Sequence, residues 1–383
     1  METDRAARPD TRYRWLRHGR AAMEAMQAAI AGARSSVWLE TFIFQPDEIG
    51  LAFRAALIAA QQRGVRVRVM CDAVGSMSLP GGYWDELVAA GGEFRWFNPI
   101  KLQRLIYRDH RKILVVDEDT AFIGGFNIGR EYSGDGITGG WRDLGLCIEG
   151  AMARGLAAAF NDLFARAEFR HRPFLRLRHT RADAQISGQD WTLLLTGPGR
   201  GHLALKQSLA RDFARAKSIR IMSAYFLPSP RLVRELKRAA RRGARVQLIL
   251  SGKSDVWLMR LATRGLYGPL LRAGVEIYEY APQILHAKMI IVDDTVYVGS
   301  ANLDARSLSI NYEVLARVPD STLADEAQDL FTDDLAHCHR IDHKTHRRTR
   351  SLWEKILSRW AFFVLARVDP YLARRQRRHL LES

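Results

Sequence analysis

With 383 residues the chain exceeds one ordinary domain and can bury a large core in each of two halves. Lys and Arg outnumber Asp and Glu by 58 to 42, and the net charge of +16 favours a polyanionic partner, either nucleic acid or an anionic membrane surface. The three scattered cysteines, Cys71, Cys147 and Cys338, argue against a disulfide framework. The absence of any run near 18 apolar residues argues against a spanning helix, and residues 1–14 have no apolar core of leader length. Any membrane contact is therefore expected to be peripheral and intracellular.

In chain order, an apolar strand is expected over 37–44, a helix over 49–62 and a second strand over 65–71, entered through Arg63-Gly64. A further helix and strand end in 90–97. Then comes His110-Arg-Lys112-Ile-Leu-Val-Val-Asp117, followed by the Gly-rich turn Gly124-Gly125-Phe-Asn127. Residues 170–202, rich in Arg and carrying Gly188 and Gly197-Pro198-Gly199, read as the connection between halves.

The pattern then repeats. A strand over 219–226, a helix over 230–241 and a strand over 246–250 lead to 273–280, then to His286-Ala-Lys288-Met-Ile-Ile-Val-Asp293 and Gly299-Ser300-Ala-Asn302. The His-to-Asn distance differs by one residue between copies, as a turn insertion would produce. Alternating strands and helices imply layered, largely parallel α/β sheets, in halves placed at 1–178 and 179–345. Residues 346–383 form a basic, amphipathic tail.

Alternation along a strand places His and Lys of each copy on one face, turned toward a shared cleft. Histidine serves near neutral pH both as uncharged nucleophile and as charged acid, so two of them suit a two-step phosphodiester transfer. Lys112, Lys288, Asn127, Asn302 and Ser300 would hold the phosphate oxygens; a lysine on an apolar strand needs such an anion as partner. Asp117 and Asp293 complete each motif, either in the chemistry or as turn residues at strand ends. No metal and no cofactor is called for.

These paired motifs resemble those of the phospholipase D superfamily, and the surroundings look like its bacterial cardiolipin synthase branch. The likeness runs from about residue 34 to 318 and is carried further by Leu39-Glu40-Thr41-Phe42-Ile43-Phe44, Trp141-Arg142-Asp143, Gly252-Lys253-Ser254-Asp255 and Gly299-Ser300-Ala301-Asn302-Leu303-Asp304-Ala305-Arg306-Ser307. The resemblance implies two lobes related by a pseudo-twofold axis, each a mostly parallel or mixed sheet flanked by helices, and a phosphatidyl-histidine intermediate. It implies His110 as nucleophile and His286 as acid and base. It also implies an acidic residue orienting each histidine, Asp143 for His110 and Glu313 for His286. Family members often begin with two membrane-spanning helices, and this chain resembles the shorter subgroup without them.

At helical spacing Leu352, Trp353, Ile356, Leu357, Trp360, Phe363 and Val364 suit an interfacial helix or one packed on the second lobe, ahead of the basic cluster Arg374-Arg375-Gln-Arg377-Arg378. Trp257, Leu258 and Met259, and residues 100–107, are candidate linings of a lipid entrance. His337, Cys338, His339, His343 and His346 lie among arginines and read as a solvated basic face rather than a metal site. The expected function is phosphatidyl transfer at the cytoplasmic face of the cell membrane, with phosphatidylglycerol as donor and phospholipids, not nucleic acid, as substrates. Hydrolysis of phospholipid or nucleic acid and non-catalytic membrane binding are the alternatives, and the intact His, Lys and Asn of both copies speak against the last.

Overall fold

The same local signals build a strand–helix–strand unit in each half. The computed structural model describes residues 10–99, 107–167, 185–197, 202–344, 346 and 352–365. After an edge strand β1 (Thr11–Leu16), the first unit runs through β2 (Ser36–Thr41), a helix over Glu48–Gln62 and β3 (Arg66–Asp72). Asp47 caps that helix, accepting from the Ile49 and Gly50 N–H groups at 3.1 and 3.0 Å, and Gly64 ends it at φ +89°, where a side chain would be strained. β4 (Glu93–Phe97), β5 (Ile113–Val116), β6 (Thr120–Gly124), β7 (Gly145–Gly150) and a helix over Ala151–Phe164 follow.

The second half opens with β8 (Gln185–Ser187) and β9 (Thr192–Thr196), then repeats the unit as β10 (Ser218–Ser223), a helix over Pro230–Arg241 and β11 (Arg245–Ser251). Here Ser229 is the cap, Pro230 opens the first turn and Gly243 ends the unit at φ +95°. A helix over Trp257–Leu271 leads to β12 (Glu276–Tyr280), β13 (Lys288–Val292), β14 (Thr295–Gly299), β15 (Glu313–Pro319), a helix over Ser321–Leu335 and β16 (Cys338–Arg340).

Two sheets result, ordered β1-β7-β6-β5-β2-β3-β4 and β16-β12-β11-β10-β13-β14-β15-β9-β8. Both are mixed, as the resemblance allowed, with fewer parallel pairs than the alternation of strands and helices alone implies. Only β2-β3-β4 and β10-β11-β12 run parallel; the motif strands lie antiparallel to β2 and β10. Turns this tight connect neighbouring strands only as hairpins. β5 and β6 are joined by Asp117, Glu118 and Asp119, whereas β13 and β14 are joined by Asp293 and Asp294 alone. That accounts for the one-residue difference between the copies.

One correction concerns the connecting segment. Residues 192–196 are not linker: β9 pairs antiparallel with β15, as β1 does with β7, so each motif sheet gains an added strand beyond its hairpin. The expected boundary at 178/179, residues 100–106 and the cluster at 374–378 lie outside the described residues.

The helices Ala151–Phe164 and Ser321–Leu335 lie between the sheets, in a core joining Trp38, Met70 and Ile113 of the first sheet to Met222, Ile249 and Met289 of the second. Separate cores fill the outer faces beneath the remaining helices, giving α/β/α/β/α layers. The C-terminal helix, Leu352–Phe363, packs by one face on Trp257–Leu271, with Ser358 and Ala361 buried.

Candidate active site

His110 and Lys112 flank Arg111 immediately before β5, and His286 and Lys288 flank Ala287 at the start of β13. Each histidine is placed by a strand fragment from the opposite half. Asp109 forms an isolated parallel bridge with Tyr312, and Arg142 one with Leu285. The His110 N–H donates to Tyr312 O at 2.9 Å, and the His286 N–H donates to Arg142 O at 2.7 Å.

The next residue along each partner fragment is a carboxylate, and it faces the histidine across the interface. Glu313 Oε2 lies 3.0 Å from His110 Nδ1, and Asp143 Oδ2 lies 2.6 Å from His286 Nδ1. The pairing is thus crosswise, which overturns the expectation of Asp143 for His110 and Glu313 for His286. Separation along the chain points to the partner within the same half, but the bridges bring up the one from the other. An ionised carboxylate only accepts, so Nδ1 carries the hydrogen and Nε2 keeps its lone pair for the cleft chemistry.

Both carboxylates are fully buried. Burial alone would raise them, but His110 with Lys112 holds Glu313 below the usual range, and His286 with Lys288 does the same for Asp143. Burial lowers His110 against the pull of Glu313, and burial with the Lys288 charge holds His286 at about 4. Lys112 falls to about 7 and Lys288 to about 8, again chiefly through burial. Each lysine donates back to its own histidine's carbonyl, Lys112 at 2.6 Å, which holds the ammonium beside the imidazole.

The Gly-rich turns differ in what they leave available. Ser300 donates to Glu313 Oε2 at 2.6 Å and accepts the Val314 N–H at 3.0 Å, so its hydroxyl orients the carboxylate instead of facing a phosphate as expected. Gly125 takes the matching place, where a Cβ would come within 2.2 Å of Asp143 Oδ1. Asn127 Oδ1 accepts the Ile43 N–H at 3.0 Å, whereas Asn302 Oδ1 is buried with no hydrogen-bond partner.

Asp117 and Asp293 do not belong to the cleft. Asp117 accepts N–H groups of Arg34, Ser35 and Ser36 at 2.7 to 3.2 Å, and Asp293 those of Lys217 and Ser218 at 2.8 to 3.3 Å. Each ties the far end of a motif strand to the entry of the adjacent strand, about 20 Å from its histidine at ordinary strand rise. This corrects their place among the catalytic residues. Their positive φ values of 53° and 49° suit the turn, since a short polar side chain tolerates that region.

Two features escaped sequence reading. Aromatic rings wall the imidazoles: Phe42 lies 5.0 Å from His110, and Tyr132 and Trp141 each 5.3 Å from His286. Behind His110 sits a buried charged cluster. Glu40 and Asp109 hydrogen-bond once one of them is protonated, and burial raises Glu40 to about 7 and Asp109 well above the carboxylate range. Asp72 accepts from Arg108 at 3.3 Å and from the Asp109 N–H at 2.9 Å. The second half has Met222, Leu285, Ala287 and Ser251 where the first has Glu40, Asp109, Arg111 and Asp72. Comparing the two motif flanks residue by residue would have exposed that contrast.

Comparisons with known proteins agree with this architecture. A family described as "Cardiolipin synthase, PLD-like domain" matches residues 26–135 and 209–335. Major cardiolipin synthase ClsA of Bacillus subtilis (strain 168) is 32% identical over 345 residues, covering 88% of this chain and 71% of that protein. Cardiolipin synthase B of Escherichia coli (strain K12) is 32% identical over 374 residues, covering 94% of this chain and 88% of that one. The crystal structure of phosphatidylserine synthase from Haemophilus influenzae Rd KW20 superposes with a TM-score of 0.74 at 16% identity, covering 94% of both chains, a likeness of fold. A repeated His-Lys motif, two mixed sheets meeting at the histidines and matches along nearly the whole chain have one reading: the chain belongs to the phospholipase D-like cardiolipin synthase family of phospholipid phosphatidyltransferases.

Proposed function

We propose that the chain makes cardiolipin from phosphatidylglycerol and a second phospholipid through a phosphatidyl-histidine intermediate, as a peripheral protein at the cytoplasmic face of the cell membrane. The observation that carries this reading is the pair of crosswise histidine–carboxylate contacts, each beside a buried lysine.

His110 is the nucleophile. Its side chain is 13% exposed against 6% for His286, and its Nδ1–H is held by Glu313, which directs the Nε2 lone pair to phosphorus. Attack forms the N–P bond and breaks the bond from phosphorus to the headgroup glycerol oxygen. His286 protonates that departing alkoxide, then takes the proton from the incoming hydroxyl as its oxygen attacks phosphorus and the N–P bond breaks. Burial is the larger cause of the low His286 value and the Lys288 charge the second; a phosphodiester anion between Lys112 and Lys288 offsets that charge and so favours the imidazolium as substrate binds. Both asparagine amides donate to the non-bridging oxygens.

The test is lipid mass spectrometry of purified protein with phosphatidylglycerol vesicles, with and without phosphatidylethanolamine, alongside His110→Ala and His286→Ala. Cardiolipin and free glycerol formed only with both histidines intact are expected. Phosphatidic acid alone would replace transfer with hydrolysis, and no lipid product would overturn the lipid reading.

A further inference from the structure

The described residues include ten exposed large apolar side chains, and six of them lie on two helices that pack together or at their start: Trp257, Trp353, Leu357, Trp360 and Phe363, with Val256 capping the first. That concentration sets this pair apart from the rest of the surface.

The C-terminal helix has two unlike faces. On the inner one Ser358 and Ala361 are buried with Phe362 packed beside them, and Gly265 of the facing helix leaves only 3.5 Å between an added Cβ and that of Ser358. Trp353, Leu357, Trp360 and Phe363, at steps of four, three and three, make the outer one, with exposures of 78, 39, 54 and 59%. Trp257, at 63%, extends the apolar surface to the start of the neighbouring helix, where Lys253 and Arg260 are also exposed, and Arg272 is exposed at that helix's other end. The segment leading into that helix reaches the cleft. Ser251, at its start, accepts the Leu285 N–H at 3.0 Å, one residue before His286, and Asp255 accepts from Tyr225 Oη at 2.7 Å.

We infer that this two-helix face is the surface by which the protein sits on an anionic phospholipid bilayer, with Trp353, Trp360 and Phe363 entering the headgroup boundary. The inference rests on the lipid reading of the active site for the nature of its substrate. Two observations select a bilayer over a second copy of the chain. Trp and Phe flanked by basic side chains match an interface that is apolar inside and negative outside. A net charge of +16 opposes self-association and favours an anionic surface.

The experiment compares the full chain with Trp353→Ser/Trp360→Ser by co-sedimentation with phosphatidylglycerol–phosphatidylcholine vesicles and with pure phosphatidylcholine vesicles. Thermal unfolding of both proteins serves as the fold check, and turnover of a short-chain, monomeric phosphatidylglycerol as the active-site check. Expected are tight binding of the full chain to the anionic vesicles, binding weakened on the order of tenfold or more in the variant, and equal turnover of the monomeric lipid. His110→Ala should bind vesicles as the full chain does, which separates docking from chemistry. Undiminished vesicle binding by the folded variant would overturn the inference, as would conversion of a dimer to a monomer by the substitutions in sedimentation equilibrium. Absence of turnover in every protein with docking still lost in the variant would overturn the lipid-transfer reading alone.

Discussion

Glu313 and His110 are 203 positions apart, yet their side chains meet at 3.0 Å, and Asp143 meets His286 in the same crosswise manner. Each histidine therefore depends on the opposite half for its orientation. Since a carboxylate favours imidazolium, its removal lowers the partner histidine further. Glu313→Gln should depress the titration of His110 and leave His286 unmoved, and Asp143→Asn should do the converse. Two-dimensional NMR of the imidazole resonances checks both, and movement of the histidine in the same half would contradict the crosswise arrangement.

On the proposed division of nucleophile and acid–base catalyst, the two histidines should fail differently. With labelled phosphatidylglycerol, His286→Ala should still form some covalent lipid adduct and release it slowly, while His110→Ala should form none. Loss in overall turnover is expected at about 100- to 10,000-fold for His286→Ala, the usual contribution of a positioned acid and base. Acid-labile label retained on the His110→Ala protein would reverse the assignment.

The pH dependence follows from the lysines. Lys112 at about 7 and Lys288 at about 8 are charged below those values and neutral above them, so the cleft loses its phosphate-binding charge as pH rises through that window. For the free enzyme, kcat/KM should therefore fall on the alkaline side of pH 8. A profile flat to pH 10 would mean that both ammonium groups stay charged.

Asp117 and Asp293 should matter for stability rather than rate. Each carboxylate serves two or three N–H groups at a strand entry, so Asp117→Ala or Asp293→Ala should cost about 1–3 kcal/mol in urea unfolding. Turnover by the protein that remains folded should stay within about twofold. A thousandfold loss of kcat in folded protein would return these residues to the chemistry.

Much of the architecture and the reaction centre is legible in the amino-acid sequence. Repetition of His-x-Lys marks the side chains that the two halves bring together, Arg63-Gly64 and Arg242-Gly243 mark equivalent helix ends, and the one-residue difference between copies is a three-residue turn against a two-residue one. Illegible parts share a cause, which is contact between residues distant in sequence. The Asp109–Tyr312 and Arg142–Leu285 bridges carry no local signature, so chain order alone pairs each histidine with the carboxylate of its own half. β9 is hidden because a short apolar run amid Gly, Pro and Arg gains strand character from its pairing with β15, far along the chain. The role of Asp117 cannot be separated from catalysis by spacing, because a strand end before a turn satisfies both readings.

Joining the halves in one chain also has a consequence for how they differ. In a pair of identical subunits each catalytic histidine would have the same neighbours, and no substitution could alter one without the other. Here Gly125 stands opposite Ser300, and Glu40 and Asp109 opposite Met222 and Leu285, so each imidazole has its own surroundings. Covalent linkage releases the two copies from identity, and the surroundings of the two imidazoles can be tuned independently while the bridges between halves still hold them together.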